Sequence, residues 1–251
     1  MRIVSLCPSI TESLVAIGLR NALCGVTRYC IHPKVTLAGI PRVGGTKNPD
    51  LEAIRALKPD LVFCNSEENR GEDIELLKRE FRVDVTHPRT VGEIPALLRH
   101  FGALTGKEKE SEEISLKVEE AMERAGPRSD FGYVYLIWKD PWMTVGPQTY
   151  IADLLRRVGG ALSLEERKFS ESDYPTLSES EIIASSPDVL ILPDEPYRFR
   201  ERDAAFWRER LPAARVVLVS GDDFCWHGVR TLRGLEAAAA LAGGFAPNAA
   251  A

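Results

Sequence analysis

The feature that most constrains this chain occurs twice: a polar-capped helix stopped by Pro-Asp and followed at once by a strand-like apolar run. In the first half, Asp50-Leu-Glu-Ala-Ile-Arg-Ala-Leu-Lys58 leads to Pro59, and Asp60-Leu-Val-Phe-Cys64 is the apolar run. In the second, Ser178-Glu-Ser-Glu-Ile-Ile-Ala-Ser-Ser186 leads to Pro187, and Asp188-Val-Leu-Ile-Leu192 follows. Proline cannot continue a helix and disfavours the helical region for the residue before it, so each unit reads as helix, break, strand. Unbroken apolar runs of this length suit strands of a parallel sheet, buried on both faces. The same alternation extends outwards. Ile3 to Leu6 reads as a strand before a helix from Ser9 to Gly18, with Ser9 and Glu12 spaced as a capping box. A helix from Asp73 to Phe81 precedes a strand from Val83 to Thr86. This order predicts an α/β fold with parallel central sheets. Helix-strand units are common enough to coincide by chance, but their matching places in the two halves favour a duplication and hence two Rossmann-like lobes.

Between the halves, Ile114, Val118, Ala121, Met122 and Ala125 form one apolar stripe on a helix otherwise covered by charge. At 1.5 Å per residue, Lys107 to Ala125 spans roughly 28 Å, about the width of a small lobe. A continuous helix is a stiff spacer, unlike a Gly/Ser linker. The expected organisation is an N-terminal α/β lobe at 1–105, a bridging helix at 106–126 and a C-terminal α/β lobe at 127–251. The alternative, a crossover helix inside one sheet, fits less well because the strand-helix pattern restarts directly after it.

Composition removes several function classes. With 32 Lys+Arg against 37 Asp+Glu and no basic run longer than two, an electrostatic grip on nucleic acid is not expected. No apolar run approaches the roughly 18 residues a membrane span needs. Met1-Arg2 leads straight into the first strand with no secretory signal, which points to the cytoplasm, or to the periplasm if a signal was removed. Five cysteines (Cys7, Cys24, Cys30, Cys64 and Cys225), odd in number and irregularly spaced, suit a reducing compartment.

The order of Ile3-Val-Ser-Leu-Cys-Pro-Ser-Ile-Thr-Glu12, Gly25-Val-Thr-Arg-Tyr29, Val43-Gly-Gly45 and Leu51 to Val62 carries a family resemblance. It continues through the bridging helix, Tyr133 to Leu136, Gly146-Pro147, Leu154-Leu155 with Gly159-Gly160, Pro187 to Ile191 and Arg230, and so covers nearly the whole chain. The chain resembles the helical-backbone metal receptors, the cobalamin- and siderophore-binding proteins of ABC importers. The resemblance implies two α/β lobes on one rigid helix (the class III periplasmic-binding-protein arrangement), a metal chelate in the cleft between them, and little closure. Cobalamin or a related corrinoid is the first expected ligand, and the chain is expected to be a monomer. It also implies an acidic residue on each lobe facing a permease dimer, for which approximate alignment points to Glu72 and Glu209. The missing export signal leaves a cytoplasmic corrinoid, haem or metal carrier as the alternative.

Open parallel sheets bind ligands at the carboxyl ends of their strands. In this architecture those loops contain Tyr29 and His32, Asn65, Trp138 and Trp142, and Phe224, Trp226 and His227. The aromatic rings offer flat apolar surface for a macrocycle or a catecholate chelate. Matched against the family, Tyr29, Asn65, Trp138 and Phe224 fall at or beside ligand-touching positions. Any one of these aromatics has core packing as its alternative, least readily Trp142 and Trp226, which sit in loop-like sequence. Cys30-Ile-His32 and Cys225-Trp-His227 are Cys-x-His triplets whose thiol and imidazole project together in extended chain, a set of four suited to tetrahedral zinc. The spacing is not a standard zinc motif, and His32 or His227 as a single axial ligand to cobalt or iron is the simpler reading. A thiol-imidazole pair can also serve catalysis, but no third catalytic member, phosphate loop or nucleophile elbow accompanies it. A binding protein for a metal chelate, a ferric siderophore or a bare metal ion is expected, not an enzyme.

Overall fold

The alternation read from the sequence becomes two units, each built on its own sheet, in a computed structural model that describes residues 1–127, 129–170 and 172–245. The first unit comprises Met1–Pro88, Gly92–Glu119 and Trp226–Arg230, and the second comprises Arg89–Val91, Glu120–Cys225 and the chain from Thr231 onward.

In the first unit, β1 (Ile3–Ser5), α1 (Pro8–Ala16), β2 (Leu23–Val26), α2 (Leu51–Leu57), β3 (Leu61–Asn65), α3 (Gly71–Lys78) and β4 (Val83–Thr86) alternate, followed by α4 (Ile94–Thr105) and α5 (Glu108–Arg124). The four strands pair in parallel in the order β2-β1-β3-β4. Alternation of side chains along a strand sends Val4, Val62 and Cys64 to one face, where Ile54 of α2 and Ile74 and Leu77 of α3 cover them. The opposite face carries Phe63, edge-on to Phe101 of α4 with ring centroids 5.2 Å apart. Both faces are therefore covered, as a parallel sheet requires.

α5 is continuous, and the division between units falls within it. Its buried stripe runs through Ser111, Ser115, Val118, Ala121 and Ala125, with Ile114 and Met122 half-buried at its margin. The two serines were not legible as buried positions. They are small, and the Ser115 hydroxyl donates to Pro95 O at 3.0 Å, so the start of α4 is held against α5 by a hydrogen bond.

The second unit contains β5 (Phe131–Trp138), β6 (Trp142–Thr144), α6 (Tyr150–Arg157), β7 (Gly160–Leu162), β8 (Thr176–Leu177), α7 (Glu179–Ala184), β9 (Val189–Pro193), α8 (Glu201–Arg210), β10 (Arg215–Val219), α9 (Gly221–Cys225) and α10 (Thr231–Gly243). Its central strands β10-β9-β5 are parallel, while β6 and β8 extend the sheet antiparallel and β7 pairs with β5. Val134, Leu136, Leu190 and Leu192 pack beneath Ile182 of α7 and Trp207 of α8.

The two Pro-Asp junctions are structural equivalents. Lys58 and Ser186, the residues before the prolines, both take the left-handed conformation, at φ 46° and 44°. The Asp60 N–H donates to Arg2 O at 2.8 Å while its carboxylate accepts from Arg2 N at 2.6 Å. Asp188 does the same with Gly132, at 2.9 Å and 2.6 Å. Each aspartate thus pins the start of its strand to the strand beside it, which is a physical reason for Asp to follow the proline in both halves.

One expected cap is not formed. The sequence spaces Ser9 and Glu12 as a capping box, but α1 begins at Pro8 with Cys7 in the cap position. Proline is pre-organised for the first helical position, so the helix starts earlier and both polar side chains are left for other partners. The polar caps on the two Pro-Asp helices do form, Asp50 capping α2 and Ser178 capping α7, where it also makes a reciprocal box with Glu181.

Candidate functional site

The carboxyl edge of the first sheet is built from three pieces of chain: the start of α1, the end of β3 and the segment Trp226–Arg230. The buried ring of His227 lies at their junction. Its Nε2 is 3.0 Å from Ser9 Oγ and 3.2 Å from Asn65 Nδ2. The orientation of Asn65 is set independently, because its Oδ1 accepts from the N–H groups of Glu67 and Glu68 at 2.9 and 3.0 Å. Its Nδ2 therefore donates to Nε2, which makes Nε2 an acceptor and places the ring proton on Nδ1. Burial pushes the His227 pKa down to about 3, assisted by the nearby His87, so the ring is neutral. Asn69 holds the loop after β3 by accepting from Asn65 N at 2.9 Å and donating to Leu6 O and Thr46 O at 3.1 and 2.9 Å.

The same segment is clamped further along. Gly228 has φ +79°, and a Cβ there would lie 2.1 Å from Ser13 Oγ, so only glycine lets the chain pass this close to α1. The Ser13 hydroxyl accepts from Val229 N at 3.1 Å. Arg230, 3% exposed, forms a two-pronged pair with Glu12, each contact 2.8 Å. Its guanidinium also lies over the Trp226 ring at 5.3 Å, and the His32 ring stands edge-on to Trp226 at 5.5 Å. His32 in turn lines a cavity of about 380 Å³ with Ile31, Lys34 and Arg42. Tyr29 is 52% exposed beneath the Arg28 guanidinium.

The expected site residues thus take different places. Tyr29 and His32 present surface to solvent at this edge, Trp226 lies just beneath, and Asn65 and His227 form the polar support behind them. In the second unit, Trp138 is 42% exposed at the end of β5, edge-on to Tyr197 at 5.6 Å. Trp142 is not in a loop: it lies on β6, buried and stacked on Phe199 at 6.3 Å, because Pro141 opens an antiparallel strand there. Phe224 is buried against Tyr135 at 5.9 Å, and Cys225 is half-buried at the end of α9. Glu72 pairs with Arg70 at 3.0 Å, and Glu209 is exposed on α8.

For the thiols, burial is the dominant influence. Cys30 lies 3.1 Å from Thr11 Oγ1 and 3.2 Å from Thr27 Oγ1, and desolvation pushes its pKa up. Cys7 is pushed up to about 12 for the same reason. Both stay protonated at neutral pH, whereas zinc takes the thiolate. Among the described residues, no three His, Cys, Asp or Glu side chains are placed to hold one metal ion. Ser9, Glu12 and Arg230 are the structural residues that motif reading missed as a set. Ser9 and Glu12 were spaced as a capping box that does not form, and their partners lie far along the chain.

Against known proteins, the chain is similar over 92% of its length to the vitamin B12-binding protein of Pectobacterium carotovorum, at 25% identity and covering 84% of that protein. The vitamin B12-binding protein of Vibrio parahaemolyticus is 26% identical, with 94% of this chain and 86% of that protein aligned. Among solved structures, the periplasmic vitamin B12 binding protein of Vibrio cholerae superposes with a TM-score of 0.83 at 21% identity, covering 96% of each chain. The periplasmic heme-binding protein of Roseiflexus superposes with 0.82 at 20% identity, covering 97% of each. At these identities the superpositions establish a shared fold. No described helix is long and apolar enough to cross a membrane. Residues 3–206 match the periplasmic binding protein model, and the chain belongs to that family, whose members bind their ligands rather than act as enzymes.

Proposed function

We propose that this protein is the substrate-binding component of an ABC importer and that its cargo is a bulky metal chelate, a corrinoid such as cobalamin first and haem second. The observation that carries this reading is the open aromatic surface at the carboxyl edge of a parallel sheet, where Tyr29 lies beneath the Arg28 guanidinium and His32 is braced edge-on by the buried Trp226 ring. A ring supported in this way is a stacking surface for a flat ligand. The vitamin B12-binding names of the relatives support the same class, and the heme-binding name of a structural neighbour keeps the porphyrin in view.

In this reading Tyr29, His32 and Trp138 touch the cargo, while Trp226, expected in a loop and found buried, braces His32 from behind. Asn65 and His227 position the surface, with the His227 Nε2 lone pair already taken by two donors, so His32 is the better candidate for an axial contact. Trp142 and Phe224 support the second unit from within. Glu72 and Glu209 are the carboxylates for a permease, and the protein works as a monomer outside the cytoplasm, as the family's periplasmic name suggests. The lobe bounds of this reading are 1–105 and 127–251, with 106–126 as the stiff connection, the segment Trp226–Arg230 packing with the first unit.

Titration of the full chain with cyanocobalamin, haem and ferric siderophores tests this. At least one saturable one-to-one isotherm is expected, and binding of none of them overturns the reading.

A further inference from the structure

The second unit holds a cavity of about 600 Å³ at the carboxyl ends of β9 and β10, lined by Asp194, Arg198, Phe199, Arg200, Leu218 and Ser220 among others. None of these residues is in the set that sequence reading singled out. The cavity owes its character to three consecutive residues. Phe199 is 4% exposed, stacked on Trp142, and its N–H donates to Pro193 O at 3.1 Å. Arg200 is extended, at φ −133° and ψ 171°. In extended chain, alternate side chains project to the same side, so turning Phe199 into the core leaves Arg198 and Arg200 facing outward together.

Both guanidinium groups are exposed, and neither makes an ion pair among the described residues. Neighbouring charges are compensated. On α8, Arg208 pairs with Glu201, Arg210 lies 3.5 Å from Glu179, and Arg202 lies 3.9 Å from Asp203. Asp203 itself accepts from Arg200 N at 3.0 Å and from Lys139 at 2.9 Å, so it is already engaged. Asp194 is the carboxylate of the lining, and it accepts from Gly221 N at 2.7 Å. Leu218, 42% exposed on the edge strand β10, adds apolar surface next to the two positive charges.

We propose that this pocket receives a carboxylate or phosphate carried on the rim of the chelate, so that a chelate bearing such an anionic group is preferred to the same chelate without it. The proposal rests on the chelate-binding reading above and narrows it. Guanidinium is the side chain whose planar fork matches carboxylate and phosphate oxygens, and two uncompensated forks beside exposed leucine fit an anionic group with an apolar body. The place is also right, since open parallel sheets bind ligands outside the carboxyl ends of their strands.

Porphyrins and corrinoids share this chemistry, and paired probes separate them. The full chain is titrated with haem and haem dimethyl ester, and with cobyric acid and cobinamide, in which the free carboxylate is an amide. In one ring series the acid is expected to bind at least about tenfold more tightly than its neutral partner, the scale of one or two charge-assisted hydrogen bonds. The double variant Arg198→Gln/Arg200→Gln should lose that preference while melting at the wild-type temperature, because both side chains lie on the surface. The series that shows the preference names the ring. Equal binding of acid and neutral forms, or a preference that survives in the double variant, overturns the pocket assignment and leaves the chelate reading standing. Binding of none of the four, nor of cyanocobalamin or a ferric siderophore, removes the chelate reading and the assignment with it.

Discussion

The junctions that begin β3 and β9 are near copies of each other, while the chain that follows those strands is not. Asp60 and Asp188 make the same pair of contacts to the adjacent strand. Beyond the strand ends, the first unit continues into Asn65, whose amide meets a buried, neutral imidazole. The second continues into Asp194 and the outward-facing Arg198 and Arg200. The two units therefore share a strand-starting device and differ at the edge where parallel sheets bind ligands. The first edge is held by a neutral imidazole and a compensated ion pair between distant pieces of chain, and the second carries two exposed arginines that make no ion pair among the described residues.

The largest effect is expected where the first edge is clamped. Glu12→Ala leaves the Arg230 guanidinium buried without its carboxylate, and breaking a buried pair in this way costs about 3–5 kcal/mol. Urea unfolding of the variant measures it. A loss below about 1 kcal/mol would place the pair among ordinary surface ion pairs and remove the clamp from the comparison.

Next comes the buried imidazole. In the unfolded chain His227 titrates near 6.5, whereas in the folded protein it stays neutral down to about 3. Below 6.5 the unfolded state therefore binds a proton that the folded state refuses, and stability falls as pH falls, by about 1.4 kcal/mol per unit. Between pH 6.5 and 5, before most carboxylates protonate, the cumulative loss is about 2 kcal/mol. His227→Gln should flatten this part of the profile. An equal slope in wild type and variant would assign the acid sensitivity elsewhere.

How much of this arrangement is legible in sequence depends on the range of the contacts. The strand at Val83–Thr86, the capped helix α7 and the α5 helix follow from local pattern, with their ends nearly in place. Ser9 and Glu12 misled because their spacing satisfies a local rule, while their actual partners, His227 and Arg230, are more than two hundred positions away. Trp142 misled for the opposite reason: a proline and an aspartate before it look like a loop, and only the pairing of β6 with β5 shows a buried strand. Arg198 and Arg200 carry no motif at all. Their importance comes from Phe199 between them, whose burial no local pattern reveals.

At the first edge, Trp226→Ala removes the supported ring. The buried ring braces His32 through an edge-on contact worth about 1 kcal/mol, so the affinity for whichever of cyanocobalamin or haem binds should fall by up to roughly tenfold. Unchanged affinity in a folded variant would return Trp226 to a purely structural role. Smaller still are the two junctions: Asp60→Ala and Asp188→Ala should each cost about 1 kcal/mol, the usual range for an exposed side chain bonded to backbone. Thermal melts that give clearly unequal losses would show that the likeness of the junctions is one of shape only.

The smallest effect has the opposite sign and separates the units again. Tyr135, on β5 of the second unit, is fully buried, and its hydroxyl has no hydrogen-bond partner among the described residues. Burial and the carboxylates around it hold its pKa well above the usual tyrosine value, so the group remains an uncharged phenol. In the first unit the buried hydroxyls of Ser9, Thr11, Ser13 and Ser115 all have partners, and truncating any of them leaves a donor or acceptor exposed to an apolar surround. Tyr135→Phe strands nothing, because there is no partner to strand. Deleting an unsatisfied buried hydroxyl while keeping the ring relieves its desolvation penalty, and the variant should be more stable than wild type by up to about 1 kcal/mol. Ser115→Ala, which breaks a made bond to Pro95 O, should be less stable by a similar amount. If Tyr135→Phe is instead destabilising, the hydroxyl has a partner such as an ordered water, and the contrast between these four bonded hydroxyls and the unmet Tyr135 hydroxyl disappears.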